Sequence, residues 1–144
     1  MMDSSTVSAE LGVRLVLPKR TTVPLAARLS YSREDPYALV LAFEAGPDEP
    51  VEWLFARDLL AMGIEGRAGL GDVKVWPSAA SEGGAPGSVL HLELSSPHGQ
   101  AHFEAPAREV SDFLRRTYQI VPAGGESGYI DVEAELNDLL RQAS

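Results

Sequence analysis

Residues 7 to 17 alternate without interruption: Val7, Ala9, Leu11, Val13, Leu15 and Leu17 share one face, while Ser8, Glu10, Gly12 and Arg14 share the other. A period of two with one apolar face predicts a half-buried strand. Pro24 closes a loop, after which Leu25, Ala27, Leu29 and Tyr31 oppose Ala26, Arg28, Ser30 and Ser32, predicting a second strand. Asp35-Pro36 marks a turn. Residues 37–45 are apolar on both faces, as in a central strand covered from two sides. Gly46-Pro47-Asp48-Glu49-Pro50 is a strong turn signal, and residues 51–55 return as a short fourth strand before the period becomes helical at Ala56. Leu59, Leu60 and Gly63 fit one or two helical turns closed by a glycine.

The second half replays this order. Residues 73–76, 89–95 and 100–104 read as strands, and Pro106-Ala107-Arg108-Glu109 opens a helix with proline in its first turn. On that helix Val110, Phe113, Leu114 and Thr117 share a face, with Arg115 and Arg116 placed toward its C-terminus, where the dipole favours positive charge. Val121-Pro122-Ala123-Gly124-Gly125 breaks it. A last helix is expected from Asp131, with Val132, Leu136, Leu139, Leu140 and Ala143 as its apolar stripe. Residues 78–88 are small, aperiodic and expected to form a mobile loop between strands. The chain is thus expected to be one α+β domain over residues 1–144, with two sheet-then-helix halves and a C-terminal helix.

Charge narrows the partners. Ten arginines and two lysines stand against 21 acidic residues, a net charge of −9, and the tightest basic cluster is Arg115-Arg116. Such a mean field repels phosphate backbones, so nucleic acid is disfavoured. With no cysteine there is no disulfide, thiolate metal site or thiol nucleophile, which suits a reducing cytoplasm. The N-terminal residues are polar and acidic rather than signal-like, and the longest apolar run, residues 37–43, falls far short of the roughly 20 residues that cross a bilayer. Membrane contact is expected through a partner.

No phosphate-loop lysine motif, nucleophile elbow or His-Glu-x-x-His is present. Gly66, Gly69 and Gly71 run in the wrong order for a dinucleotide loop and read as an ordinary turn. One constellation has chemical potential. Matching the apolar faces of the hairpin around Ser96-Pro97-His98-Gly99 sets Glu93 opposite His102 and His91 opposite Glu104. Two imidazoles and two carboxylates on one solvent-facing patch form either two cross-strand charge pairs or a site for a divalent ion. Trp53, Phe55 and Trp76 are either core residues or an exposed aromatic platform. Arg57 and Asp58 either pair with neighbours or present a partner surface.

Several longer motifs carry a resemblance. Asp35-Pro36-Tyr37-Ala38, Val51-Glu52-Trp53-Leu54-Phe55-Ala56-Arg57-Asp58-Leu59-Leu60, Gly71-Asp72-Val73-x-Val75-Trp76-Pro77, Leu94-Ser95-Ser96-Pro97-x-Gly99, Glu104-Ala105-Pro106-Ala107 and Phe113-Leu114-x-Arg116-Thr117 occur in that order. Together with the acidic C-terminal segment, they resemble the SsgA-like sporulation and cell-division regulators, on the side of the SsgB-type branch. The resemblance covers nearly the whole chain. It implies a protein without enzymatic activity or cofactor, in the cytoplasm of a sporulating actinomycete, which brings the tubulin-like division protein FtsZ to future septum sites and supports its polymerisation. It also implies an SsgA-type paralogue as a possible second partner, a homotrimer, and a whirly-like fold of two antiparallel β-sheets with helices. The family has no catalytic residues to transfer. The positions set by its motifs are Arg57 and Asp58 for partner contact, and Gly124 as a backbone pivot before the last helix, where glycine tolerates positive φ.

Two further readings stay open at this level. A whirly-like architecture suggests a single-strand nucleic-acid binder, which the charge opposes. His91, Glu93, His102 and Glu104 suggest a metal-dependent enzyme.

Overall fold

The computed structural model describes residues 6–44, 51–79, 87–97 and 99–129. Within them the chain runs β1 (Thr6–Val16), β2 (Thr22–Ser32), β3 (Asp35–Glu44), β4 (Val51–Ala56) and α1 (Arg57–Glu65). It then repeats the plan with β5 (Ala68–Leu70), β6 (Val73–Ser78), β7 (Val89–Ser96), β8 (Gly99–Pro106) and α2 (Ala107–Ile120). A short 3₁₀ turn, Glu126–Tyr129, follows α2. Of the loop expected over 78–88, Ser78 instead ends β6 and residues 80–86 lie outside the described residues, as does the last helix expected from Asp131.

The two antiparallel sheets of a whirly-like arrangement are not what forms. The eight strands make one antiparallel sheet in the order β4-β3-β2-β1-β8-β7-β6-β5, and the class remains broadly α+β. The two meanders join because β1 has a second edge: Arg14, Leu15 and Val16 pair with Glu104, Phe103 and His102 of β8. The rest of β1 is paired to β2 alone, so the seam is only three residues long. The sheet curls along this seam. Phe43 on β3 and Phe103 on β8 stack with ring centroids 4.3 Å apart, although β2 and β1 lie between them and flat strands sit about 4.8 Å apart.

The concave face holds the core. Leu11, Val13, Leu29, Leu39, Leu41, Val75, Leu90, Leu92 and Leu94 point into it and are almost fully removed from water, each burial worth roughly 1.5–3 kcal/mol. The helices cover this face crosswise. α1, which ends the first half, packs on β5 and β6 of the second, and α2, which ends the second, packs on β1 of the first as well as on β8. The stripe Val110, Phe113, Leu114 and Thr117 is buried as its period requires.

Several local expectations are corrected. Gly63 does not end α1, which runs on to Glu65; a Cβ at Gly63 would collide with Val75 Cγ1, so this glycine lets the helix approach β6 closely. Pro24 lies inside β2, opposite Arg14. It is tolerated because β3 pairs with β2 only from Ala26 onward, leaving no ladder bond for the missing N–H. Arg115 and Arg116 are not at the end of α2, which continues to Ile120. Arg115 pairs with Asp112 at 3.1 Å, and Arg116 donates to the Ser8 carbonyl of β1 at 3.2 Å. β5 carries too short a pattern to be read from sequence and appears only as the partner of β6.

Candidate functional site

The junction of β4 and α1 places Arg57 where the helix begins at the end of a strand whose Phe55 is already in the core. The side chain therefore starts inside the fold, and its relative exposure is 0%. Its guanidinium donates to the Val121 carbonyl at 2.7 Å, the Thr117 carbonyl at 3.3 Å and the Thr117 Oγ1 at 3.4 Å, and forms an ion pair with Glu126 at 3.0 Å. It also lies over the rings of Tyr31, at 4.8 Å, and Tyr118, at 4.3 Å. Of the three guanidinium nitrogens of Arg57, Nε lacks a hydrogen-bond partner among the described residues, a residual cost of burial.

The surrounding groups respond to this charge. Glu126 has its pKa lowered, first by its own backbone amide and then by the hydrogen bond from Arg57. Tyr31 is pushed up to about 12, chiefly by burial and against the pull of Arg57, and its hydroxyl donates to the Pro36 carbonyl at 2.8 Å. Burial also raises Tyr118, to which the Asp58 carboxylate adds. The arginine thus ties α1 and β2 to the end of α2 and the turn after it.

The three residues singled out by sequence occupy different environments. Arg57, expected at a partner surface, is internal because α2 and the turn after it close over it. Asp58, one residue on, is exposed in the first turn of α1. Gly124 has φ of 82°, in the left-handed region that favours glycine, and shapes the turn that delivers Glu126 to Arg57. What sequence reasoning missed is the group of acceptors, Thr117, Val121 and Glu126, whose separation from Arg57 by 60 to 69 residues leaves no local signal. Beside Asp58 and Tyr118, the two helices flank a groove of roughly 310 Å³ lined by Ala61, Ile64, Glu65, Leu114, Arg115 and Tyr118.

The second constellation lies on the outer face of the other half. The hairpin register is the expected one, with Glu93 opposite His102 and His91 opposite Glu104. The patch is half-buried rather than open, because Trp76 of β6 stacks on His91 at 5.1 Å with an interplanar angle of 4°, and Arg67 sits over the other side of the stack at 5.1 Å from the indole. Trp76 is neither in the core nor isolated, whereas Phe55 is core and Trp53 packs against it.

The imidazoles are committed to each other. His91 Nδ1 and His102 Nε2 are 2.8 Å apart, and His91 Nε2 lies 2.6 Å from Ser78 Oγ. Burial, followed by the neighbouring His102, lowers the pKa of His91, against a weaker upward pull from Glu104. Among the described residues no group of three or more His, Asp or Glu is placed to hold a metal ion.

Comparison with known proteins places this geometry in context. A family model described as Streptomyces sporulation and cell division protein, SsgA, matches residues 25–126. The chain is 49% identical over 138 residues to the sporulation-specific cell division protein SsgB of Thermobifida fusca, covering 96% of this chain and 97% of that one. It is 45% identical over 140 residues to SsgB of Streptomyces coelicolor, covering 97% and 99% of the two chains. The crystal structure of an SsgA-like sporulation-specific cell division protein from Thermobifida fusca is similar with a TM-score of 0.81 and 50% identity, over 95% of this chain and 98% of that one. A structure of SsgB connected with division in Streptomyces coelicolor aligns with a TM-score of 0.80 and 47% identity, over 87% and 95%.

Proposed function

Because this chain belongs to the SsgA family of sporulation and cell-division proteins, we propose that it is a non-enzymatic division regulator that recruits or positions FtsZ at septum sites and supports its polymerisation. The near full-length correspondence with proteins named for sporulation-specific cell division carries the reading. For the Streptomyces coelicolor relative, mutations in SsgB correlate with longitudinal cell division during sporulation. A positional role for this chain accords with that link between a protein of this architecture and the geometry of division.

The protein works in the cytoplasm at septum sites, as a homotrimer, with FtsZ and an SsgA-type paralogue as partners. No described helix is long and apolar enough to cross a membrane, and in this reading membrane proximity comes through those partners. Asp58 contacts a partner directly beside the groove between the helices. Arg57 and Gly124 act from behind that surface by fixing the turn after α2. The net charge of −9 favours a partner with basic surface over nucleic acid.

Co-sedimentation with purified, polymerising FtsZ at physiological salt, with single-stranded DNA as competitor, tests the reading. Saturable pelleting unaffected by DNA is the expected result. Absence of pelleting together with salt-sensitive DNA binding would overturn it.

A further inference from the structure

The sheet has two outer edges, β4 and β5. β5 is only three residues long, and short edges offer little to a passing strand. β4 is six residues long and pairs with β3 in unbroken register from Val51 to Ala56, while among the described residues no strand lies on its other side. Alternate backbone N–H and C=O groups along that side face outward. Edge strands are commonly protected by charged residues, proline or a bulge, and of these β4 has only the exposed Glu52. It is instead apolar on both faces: Val51 is 52% exposed and Leu54 61% exposed, and Leu54 lies beside the half-buried Val40 on the face away from the helices. Exposed Glu52 shares that face with Leu54.

We propose that the free edge of β4 is a strand-addition site whose occupant is an extended segment of another protein, apolar at alternate positions and carrying Lys or Arg beside Glu52. An extended backbone is required because the unmet groups are a row of main-chain donors and acceptors. Alternate apolar residues continue the Val40–Leu54 stripe. The basic residue answers Glu52, whereas the β4 of a second copy laid on this edge would bring another Glu52 and no basic residue. The inference rests on the reading above for the source of the strand, which it assigns to FtsZ.

Amide hydrogen exchange of the full chain tests it, measured alone at two concentrations and with polymerised FtsZ, alongside co-sedimentation of the wild type, Glu52→Lys and Leu54→Lys. Both substitutions fall on exposed side chains and leave the core intact. The expected result is that β4 amides slow by about tenfold or more only when FtsZ is present. Each substitution should weaken pelleting by roughly five- to tenfold, because a favourable cross-strand contact becomes an unfavourable one. Wild-type pelleting with unchanged β4 exchange, or variants that pellet like the wild type, would overturn the edge assignment and leave the FtsZ reading standing. No pelleting of the wild type would overturn both. Protection of β4 that grows with protein concentration in the absence of FtsZ would overturn the proposal in favour of a second copy on the edge.

Discussion

Arg57 and Glu126 are 69 residues apart in sequence and 3.0 Å apart in space, with side-chain exposures of 0% and 7%. A buried ion pair of this kind is costly to break from one side, since the surviving charge keeps its desolvation penalty and loses its partner. Arg57→Ala is expected to lower the unfolding free energy by about 3–5 kcal/mol. Glu126→Gln, which keeps a hydrogen-bond acceptor, should cost about 1–3 kcal/mol. Urea unfolding of both variants and of the double mutant should show strong non-additivity. An Arg57→Ala protein with a wild-type midpoint would mean the tie contributes nothing.

The same pair sets an acid limit. The folded pKa of Glu126 lies below its ordinary value of 4.5, so its contribution to stability is complete above 4.5 and is lost as pH falls through the depressed folded value. A series of denaturant midpoints taken as pH falls from above 4.5 should drop less steeply for Glu126→Gln than for the wild type. Parallel curves would contradict this account.

His91 acts at milder acidity. Its folded pKa is lowered from 6.5, so the unfolded chain binds the proton more readily and stability declines as pH drops through 6.5 toward the folded value. The groups facing the ring are His102, Ser78, Glu104 and the stacked Trp76. Replacing His91 with Gln should flatten the stability profile across this interval, and NMR titration of the ring should place its midpoint below 6.5. A midpoint at or above that value would reverse the sign.

Gly63 makes a steric prediction. Gly63→Ala puts a methyl group against Val75, which is fully buried in β6, and overpacking of this kind costs about 1–3 kcal/mol. Val75→Ala opens a cavity at the same place. The double variant should therefore lose less stability than the two single losses combined, whereas simple additivity would show that the helix moves away instead.

At Gly124 the backbone decides the order. With φ of 82°, substitution by Asn should be mildest, Ala should cost roughly 1–2 kcal/mol, and Val should be worst. Thermal unfolding ranks the three directly. Equal losses for Asn and Val would show that the turn abandons the left-handed conformation.

The elements that read clearly in the sequence are those whose partner lies next door. β1 announces itself by alternation, and the β7–β8 register follows from its short loop together with the apolar set of Leu90, Leu92 and Leu94. The joining of the two meanders was not legible, because alternation in β1 reports which face is buried and says nothing about which strand takes its second edge. The burial of Arg57 is not legible for a related reason, although pairing with neighbours is one of its two readings. Beside Asp58, an arginine in a helical first turn looks like a surface residue, and the acceptors that draw it inward lie far along the chain. The one available clue was the abrupt passage from the buried Phe55 to the helix. Gly63 was legible as a glycine that matters but not as one that permits close approach, since a stop and a contact leave the same mark in sequence.

The crosswise placement of the helices has a consequence for synthesis. α1 is translated before the strands β5 and β6 on which it rests, and Arg57 emerges well before Thr117, Val121 and Glu126. At about 5–20 residues per second, the 69 residues from Arg57 to Glu126 take on the order of several seconds to be made. Until then the guanidinium has the Tyr31 ring but none of its hydrogen-bond acceptors, and the part of the concave face that α2 covers stays open. The nascent first half therefore exposes apolar surface that only later-made elements cover.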